Sequence, residues 1–252
     1  MTDWDPDQYL RFEDQRLRPA LDLIVHIDGS PAEIWDLGCG TGSITALLGE
    51  RWPTAAVHGL DSSPEMIDRA RRIADIDWVL GDIAAWEVAA PVDLVFSNAA
   101  LHWLGEHELL LPRLTARVAT GGTLAVQMPR NFAAPSHALL AEIAATPRWI
   151  DRVGDVVRPP PVAEPAFYHD LLRALFSSVE VWETEYLHCL TGTDPVAEWA
   201  RGTAARPFID ALGDAAGEFM EEYSSRLRVA YPPRPDGTTL FAFKRLFIVG
   251  RR

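Results

Sequence analysis

The chain has 252 residues, 48% of which are hydrophobic, so it is long and apolar enough for one sizeable α/β core and is not a disordered chain. Its formal net charge of −13 argues against a nucleic-acid partner, because such binding depends on Lys and Arg that neutralise phosphates. No apolar run is long enough to span a membrane, the acidic N-terminus does not resemble a signal peptide, and only two cysteines are present, so we expect a cytoplasmic protein with no membrane partner.

The first 30 residues predict a helical segment in front of one catalytic domain. Asp5 can cap a helix that has Pro6 in its first turn, and apolar residues follow at a roughly helical spacing. Pro19 is expected to bend that helix. We interpret residues 1–30 as a helical lid and residues 31–252 as the domain that carries the chemistry.

Five strand-like runs alternate with helical patterns in the first half of that domain. Such alternation predicts a parallel sheet with right-handed crossovers. Gly121 and Gly122 are predicted to end the last of these helices before the fifth strand. The predicted strands are Glu33 to Leu37, Ala56 to Asp61, Asp77 to Gly81, Val92 to Ser97 and Thr123 to Met128, and the predicted helices are Ser43 to Arg51, Pro64 to Ala74 and Glu106 to Ala119.

The pattern changes after Pro135. Two long β-like runs separated by helical segments predict an antiparallel end to the sheet, and helical insertions at about residues 135–176 and 192–239 are expected to cap its ligand edge. The run from Arg158 to Pro161 predicts a loop or lid. The predicted helices are Ser136 to Thr146, Ala166 to Phe176, Pro195 to Arg201 and Pro207 to Tyr231, and the predicted strands are Ser178 to Leu190 and Leu240 to Val249.

The most informative stretch joins the first strand to the first helix of the domain, and it has the pattern D-x-G-x-G-x-G from Asp36 to Gly42. Gly38, Gly40 and Gly42 can adopt a positive φ and have no Cβ, so their backbone can approach a ligand closely. The free N–H groups at the helix start favour an anionic or polar group. This loop, which includes Thr41, therefore predicts a site for a nucleoside cofactor.

The spacing of the glycines distinguishes two classes of cofactor. A dinucleotide loop has the pattern G-x-G-x-x-G/A, whereas here the third glycine comes one residue earlier and is followed by Ser43. Asp36 would repel a pyrophosphate and attract a cationic amino acid. These features favour S-adenosylmethionine, which carries an ammonium and a sulfonium and no phosphate. A nicotinamide-dependent oxidoreductase is the alternative.

Ligands of open α/β sheets lie outside the carboxyl ends of the strands, so the residues that follow each strand are site candidates. Asp61 follows the second strand and can accept both hydroxyls of a ribose or cap the next helix. Asp82 follows Gly81 and can accept a hydrogen bond from the amine of an adenine or be an ordinary loop acid. The other candidates for cofactor contact here are Ser62, Met66 and Ile83, of which the last two could equally belong to the core.

The fourth strand leads into a second group of candidates. Asn98 can bond the backbone or the cofactor, and His102 and Trp103 can contact a substrate, although His102 could equally be an ordinary histidine at a helix entry. His102, Glu106 and His107 do not predict a metal site, because histidines five residues apart do not share a helix face. No G-x-S-x-G is present and neither cysteine has a neighbouring base, so we expect no catalytic nucleophile.

Together these motifs, over roughly Glu33 to Arg130, resemble the class I S-adenosylmethionine-dependent methyltransferases. The resemblance implies a Rossmann-like seven-stranded α/β sheet of order 3-2-1-4-5-7-6 with strand 7 antiparallel and a helical cap. It also implies that Asp36 and the glycine loop hold the methionine end of the cofactor, that Asp61 holds its ribose and that Asp82 meets its adenine. Residues 31–252 would then be the methyltransferase domain.

Further blocks, several of them outside the cofactor core, resemble the trans-aconitate methyltransferase family. They are Trp4 to Phe12, Phe96 to Trp103, Val126 to Asn131, Pro135 to His137, Glu198 to Phe208 and Phe241 to Phe247. This resemblance implies methyl transfer to a carboxylate of a small tricarboxylate, with S-adenosylhomocysteine as the second product. Because such an acceptor is already anionic at neutral pH, residues such as His102 and Tyr9 would position the reactants rather than act as a base.

The remaining carboxylates of a tricarboxylate need cationic partners, and a guanidinium binds a carboxylate with two N–H groups. The candidates for substrate binding are Tyr9, Trp103, Arg130, Arg206 and Arg245. We expect the enzyme to be a monomer. Three alternatives stay open: a methyltransferase for another acid such as a carrier-bound malonyl group, the nicotinamide oxidoreductase, and a non-catalytic S-adenosylmethionine sensor.

Overall fold

The computed structural model describes residues 13–252. The predicted helix start at Asp5 and Pro6 and the site candidate Tyr9 lie outside the described residues. The first described helix, Glu13–Ile24, contains Pro19 as the sequence analysis expected.

The described strands form one seven-stranded sheet of order β3-β2-β1-β4-β5-β7-β6. The pairings among β1 to β5 are parallel, and β7 pairs with β5 in the antiparallel direction. The predicted fold class, strand order and antiparallel seventh strand are therefore confirmed. The strands are β1 (Glu33–Leu37), β2 (Ala56–Asp61), β3 (Asp77–Leu80), β4 (Val92–Asn98), β5 (Val118–Pro129), β6 (Ser178–Thr191) and β7 (Thr238–Arg251).

Helices connect these strands, and local capping explains where some of them begin. Ser63 caps the helix that starts at Pro64, since its side chain accepts a hydrogen bond from the Met66 N–H at 3.3 Å. The remaining described helices are Ser43–Arg51, His107–Thr115, Pro135–Ala144, Ile150–Val153, Pro165–Leu172, Pro195–Arg201, Arg206–Leu212 and Ala216–Ala230, and 3₁₀ turns span Ile83–Ala85, Leu101–Trp103, Gly154–Val156 and Gly213–Ala215.

The prediction that Gly121 and Gly122 separate a helix from the fifth strand is wrong. The helix ends at Thr115, and β5 already begins at Val118. The register jumps between the partners of Val92 and Leu94, so residues 119–122 form a bulge within β5. Gly121 has a φ of +80°, a conformation that glycine adopts without strain.

Three other predicted helices also differ from those observed, and one of them, predicted from Ala166 to Phe176, spans Pro165–Leu172. The helix that starts at Pro64 ends at Ala70 rather than Ala74, because the N–H groups of Arg72 and Ile73 bond three residues back and tighten the last turn. The predicted helix from 207 to 231 is broken at Gly213, whose φ is +54°. A glycine in that conformation cannot continue a right-handed helix, so two helices result.

The chain divides into two compact units. The sheet unit comprises Arg16–Pro129, Pro161–Thr184 and Arg245–Arg252, and the helical unit includes Arg130–Pro160 and Glu185–Lys244. The aliphatic side chains of the central strands form the core of the sheet unit, whereas an aromatic cluster that includes Trp149 and Phe219 forms the core of the helical unit. Within the described part of the chain, no helix is both long and apolar enough to cross a membrane.

Candidate active site

The glycine loop is fixed to the neighbouring strand by backbone hydrogen bonds. The N–H groups of Gly38 and Cys39 both donate to the carbonyl oxygen of Leu60 at the end of β2, at 2.7 and 3.0 Å. The Gly42 N–H donates to the Cys39 carbonyl at 3.0 Å and closes the turn. Gly38, Gly40 and Gly42 have φ values of +82°, +56° and +84°, so all three use the freedom that the sequence analysis assigned to them.

These three glycines face different surroundings. A Cβ on Gly38 would lie 2.2 Å from the Cβ of Ala100, and a Cβ on Gly42 would lie 2.6 Å from the ring of Trp78. Among the described residues, and apart from its two chain neighbours, no atom lies within 4 Å of a Cβ built on Gly40. Gly38 and Gly42 therefore permit tight packing, whereas Gly40 borders space that a ligand can fill.

Asp36 supplies a buried acid beneath this loop. It is only 2% exposed, and the Thr45 hydroxyl donates to its Oδ2 at 2.6 Å. Burial raises the pKa of the Asp36 carboxyl to about 7, the bond from Thr45 opposes that rise, and the charge of Asp61 adds to it. A buried carboxyl that is half ionised near neutral pH favours a ligand with a positive charge.

Cys39 is buried inside the same loop. Burial is the largest cause that raises the pKa of its thiol far above the ordinary range, and the charges of Asp36 and Asp61 act in the same direction. The group therefore stays a neutral thiol, which is a poor nucleophile. Its surroundings agree with the expectation that a nucleophilic cysteine takes no part.

Asp61 joins the glycine loop to the helix that follows β2. Its Oδ2 accepts a hydrogen bond from the Gly40 N–H at 2.9 Å, and its Oδ1 accepts one from the Ser63 N–H at 2.9 Å. Because Ser63 is the residue that caps this helix, the capping role considered for Asp61 in the sequence analysis is not observed. Each carboxylate oxygen keeps a second lone pair, so a ribose hydroxyl can still be accepted.

Two smaller candidates flank this acid. The Thr41 hydroxyl lies 3.4 Å from the Ser43 hydroxyl at the start of the first helix after β1, and Ser62 is exposed on the turn after Asp61. Both present hydroxyl groups at the same end of the sheet. Their contact with a cofactor stays a prediction.

The end of β3 is tied to the end of β2. The Gly81 N–H donates to the Asp61 carbonyl at 3.0 Å, and Asp82 uses its Oδ1 to accept from the Ala84 N–H at 2.7 Å, which caps the 3₁₀ turn Ile83–Ala85. Asp82 is exposed, so its second carboxylate oxygen faces outward. The apolar candidates of this region, Met66 and Ile83, are both buried.

Arg113 holds that 3₁₀ turn in place, a role that the sequence analysis missed. Its guanidinium donates to the carbonyl of Ile83 at 2.6 Å and to the carbonyl of Trp86 at 3.3 Å. The arginine lies on the helix His107–Thr115, about 30 residues further along the chain. No local pattern predicts a hydrogen bond across that separation.

The loop after β4 contains strained backbone. Ala99 and Glu106 have φ values of +53° and +52°, and no other non-glycine residue in the described part of the chain has a positive φ. Such strain costs about 1–3 kcal/mol at each position and is typical of functional segments. The loop carries His102, which is half-buried, and Trp103, which is 59% exposed, with their ring centroids 4.7 Å apart.

His107 holds the same loop in place through hydrogen bonds at both of its ring nitrogens. The Ala163 N–H donates to the hydroxyl of Tyr168 at 3.0 Å, and that hydroxyl lies 2.7 Å from Nδ1 of His107. The hydroxyl therefore donates to Nδ1, and the Nε2–H of His107 donates to the Leu101 carbonyl at 2.9 Å. Both ring nitrogens are thus used, so His107 positions the turn that carries His102.

Asn98 stands at the carboxyl end of β4, next to this loop. Within the described chain its buried Oδ1 has no hydrogen-bond partner. A buried acceptor of this kind is suited to a ligand that brings a donor, such as an ammonium group. This observation supports the predicted cofactor role of Asn98.

The substrate candidates are divided between the two units. Trp103 and Arg245 belong to the sheet unit, where Arg245 lies opposite Pro129 and is only 4% exposed. Arg130 and Arg206 belong to the helical unit. The Arg206 Nε lies 3.0 and 3.1 Å from the two carboxylate oxygens of Asp210. Their contact with a substrate stays a prediction.

Comparison with known proteins identifies the family. The sequence profile described as "Methyltransferase domain" matches residues 34–122. A trans-aconitate 2-methyltransferase of Streptomyces avermitilis is 46% identical over 99% of this chain and 97% of its own length. A trans-aconitate 2-methyltransferase of Azoarcus sp. is 43% identical over the full length of both chains.

Solved structures support the same fold. The plantazolicin methyltransferase BpumL, solved with a desmethyl analogue and SAH, has a TM-score of 0.53 and 13% identity over 98% of this chain and 90% of its own. This likeness shows the same fold, and the full-length relatives confirm the predicted class of enzyme, a methyltransferase of the S-adenosylmethionine-dependent class. The chain therefore belongs to the trans-aconitate 2-methyltransferase family.

Proposed function

We propose that the chain transfers a methyl group from S-adenosylmethionine to a carboxylate of trans-aconitate and releases the methyl monoester. The observation that carries this proposal is the extent of the similarity to the Streptomyces avermitilis relative, which covers 99% of the chain. The similarity includes the helical unit and so extends well beyond the methyltransferase profile at residues 34–122. A cofactor domain alone would specify the methyl donor and leave the acceptor open.

The residues at the ends of β1, β2 and β4 fit this cofactor. Asp36 provides a carboxylate for a cationic group, Gly40 borders open space, and Asn98 offers a buried acceptor. None of these groups favours a phosphate, which S-adenosylmethionine lacks. We assign cofactor binding to Asp36, Gly38, Gly40, Thr41, Gly42, Asp61, Ser62, Met66, Gly81, Asp82, Ile83 and Asn98.

The reaction requires the protein mainly to bind the two reactants and to orient them. S-adenosylmethionine, when bound, supplies a methyl group on a sulfonium, which is electrophilic without further activation. The acceptor carboxylate is already ionised at neutral pH, so no residue has to remove a proton. The chain's residues hold the acceptor in line and exclude water, and such positioning contributes about 7–11 kcal/mol in favourable cases.

We assign the recognition of the substrate carboxylates to Arg130, Arg206 and Arg245, with Tyr9 and Trp103 closing over the acceptor. Arg206 allows a controlled test because of its pairing with Asp210. Arg206→Ala is expected to raise the KM for trans-aconitate and to leave cofactor affinity unchanged. Asp210→Asn keeps the guanidinium and is the matched control. Equal effects of both variants would show that the arginine serves only the ion pair.

The substrate is tested directly by incubating the full chain with methyl-labelled S-adenosylmethionine and a panel of acids. The panel contains trans-aconitate, other small polycarboxylates and a malonyl group on an acyl carrier. We expect a labelled, base-labile ester on trans-aconitate above all others. Label on the carrier-bound acid alone would replace the proposed substrate, and tight cofactor binding with no labelled ester would indicate a sensor rather than an enzyme.

We further propose a cytoplasmic monomer. The two cysteines are both free, and only Cys189 is exposed, which suits a reducing compartment. Light scattering of the purified chain is expected to give the mass of one copy. A mass of two copies across a tenfold dilution would contradict the monomer.

A further inference from the structure

One buried side chain at the ligand edge of the sheet takes part in none of the interactions described so far. Gln127 lies near the carboxyl end of β5 and is fully buried. In the described part of the chain, neither its Nε2 nor its Oε1 has a hydrogen-bond partner. An unsatisfied buried polar group costs about 1–3 kcal/mol, so a whole amide kept in this state calls for an explanation.

The strand register shows what surrounds this amide. Gln127 is paired with Asn98 on β4 and with Phe247 on β7, and the register is regular on both sides. Paired residues, and alternate residues along one strand, project from the same face of a sheet. Asn98, Gln127 and Arg245 therefore share one face at the edge where the parallel strands end. The amides of Asn98 and Gln127 and the guanidinium of Arg245 therefore form a set of polar side chains at this edge of the sheet.

These side chains suit a carboxylate, but in two different ways. The cation of Arg245 binds a carboxylate strongly and withdraws electron density from its oxygens. The amide of Gln127 is neutral and donates two N–H groups, so it can orient a carboxylate and leave its negative charge in place. A carboxylate that must attack a methyl group gains from the second kind of partner.

We propose that Gln127 binds the reacting carboxylate of the substrate through Nε2, while Arg245 on the same face of the sheet binds a carboxylate that does not react. The substrate in this proposal rests on the proposed function. A lone pair of the oriented oxygen forms the new O–CH₃ bond as the S–CH₃ bond breaks, its electron pair stays on sulfur, and no proton moves. Gln127 thereby decides which carboxylate is methylated and how well it is aligned.

The first test replaces Gln127 with methionine, which has a similar volume and no unsatisfied amide. Gln127→Met is expected to keep or raise the melting temperature of the ligand-free protein and to leave the Kd for S-adenosylhomocysteine unchanged. Its kcat with trans-aconitate is expected to fall about 100-fold, with KM within about threefold of wild type, because alignment of the attacking oxygen is lost.

Thr123→Val is the matched control. Thr123 is a buried polar residue on the same strand and the same face, about 13 Å away at the other end of the regular part of β5. Its substitution removes a buried polar atom without reaching the ligand edge. We expect the kcat of this variant to equal that of the wild type.

A second variant tests the charge of the group. Gln127→Glu keeps the volume but places an anion beside the attacking carboxylate at high pH. The kcat/KM of this variant relative to wild type is expected to rise as the pH falls, because the protonated glutamic acid is neutral and can donate again. If Gln127 had only a structural role, the kcat/KM of Gln127→Glu relative to wild type would not rise as the pH falls.

Two results would overturn the role of Gln127. One is a kcat of Gln127→Met within twofold of wild type. The other is a joint loss of melting temperature, cofactor affinity and kcat, which would show a structural role. If wild type leaves trans-aconitate unmodified but methylates another acid of the panel, the proposed function fails, and the Gln127 variants are then judged with that acid.

Discussion

Asp36 is the residue whose ionisation we expect to couple the stability of the fold to cofactor binding. Burial raises the pKa of its carboxyl from 3.8 to about 7, so between these values the folded protein holds a proton that the unfolded chain has lost. The contribution of this group to the free energy of unfolding therefore decreases as the pH rises from about 4 to about 7. The acid is kept although it destabilises the fold at neutral pH, which is typical of functional groups.

Unlike the stability of the fold, the affinity for the cofactor is expected to increase as the pH rises and Asp36 ionises. Because the anion of Asp36 attracts the ligand's ammonium, the Kd for S-adenosylhomocysteine is expected to decrease as the pH rises from 5.5 to 7, by at most about tenfold per unit, and to level off above it. Isothermal titration calorimetry measures this change. Asp36→Asn keeps the contact with Thr45 and is expected to bind more weakly with a flat profile. Parallel profiles for both proteins would remove Asp36 from the cofactor site.

Gly40 and Gly42 are predicted to respond differently to the same substitution. Gly40→Ala places a methyl group in space that no described residue occupies, so it is expected to cost about 1 kcal/mol of stability through its positive φ and to raise the Kd for S-adenosylhomocysteine at least tenfold. Gly42→Ala adds a clash with Trp78 and is expected to cost about 3 kcal/mol.

Urea denaturation and calorimetry measure both quantities for the two glycine variants. The comparison is internal, since both residues have positive φ and lie two positions apart in one loop. Undiminished cofactor binding by Gly40→Ala would mean that the open space beside this glycine serves something other than the cofactor.

At the scale of elements, the site is built where strand ends are tied to one another and to a helix. Arg113 connects the helix His107–Thr115 to the turn after β3 through two carbonyl oxygens. A lysine ammonium offers one nitrogen atom in place of the two that arginine uses, so it fits two separate carbonyl oxygens less well. Arg113→Lys is therefore expected to raise the Kd for S-adenosylhomocysteine about three- to tenfold, with little change in the urea midpoint.

Arg117→Lys provides the matched control for this prediction. Arg117 follows the same helix and forms a surface ion pair with Glu87, which contributes little to stability. Its substitution is expected to leave cofactor affinity unchanged. If both lysine variants bind equally well, the turn after β3 does not depend on Arg113 for its ligand-binding geometry.

The elements also show what a sequence can predict. The glycine loop and the helix start at Pro64 were located because their patterns are local, with the chemistry and the structure within a few residues of each other. The prediction that Gly121 and Gly122 end a helix was wrong because a pair of glycines fits a helix end and a strand bulge equally well. Arg113 and the contact of His107 with Tyr168 were missed because their partners lie 27 to 61 residues away.

Gln127 illustrates a different limit. A glutamine within an apolar run could be identified from the sequence, but its importance comes from being buried without a partner, and that depends on the strands on both sides. The same limit applies to Arg130, Arg206 and Arg245, because the sequence shows that they are charged but not which residues lie next to them. Local patterns thus predict the glycine loop and the strand ends well, and they say little about neighbours that come from distant parts of the chain.

At the scale of the whole molecule, the charge of the protein opposes its proposed substrate. The chain carries a formal net charge of −13, and trans-aconitate is a trianion at neutral pH. The long-range repulsion acts through solvent, where the Debye length falls from about 30 Å at 0.01 M salt to about 8 Å at 0.15 M. Arg245, which we assign to the substrate, is buried, and a charge in such a position acts at short range and is screened far less by salt.

Salt should therefore weaken the repulsion more than the attraction. The KM for trans-aconitate is expected to fall severalfold as sodium chloride is raised from 10 to 150 mM, with kcat unchanged. S-adenosylhomocysteine has no net charge, so its Kd, measured by calorimetry over the same range, should stay constant and serves as the control. A KM that rises with salt would contradict this prediction, because it would mean that exposed cations, rather than the buried Arg245, dominate the binding of the acceptor.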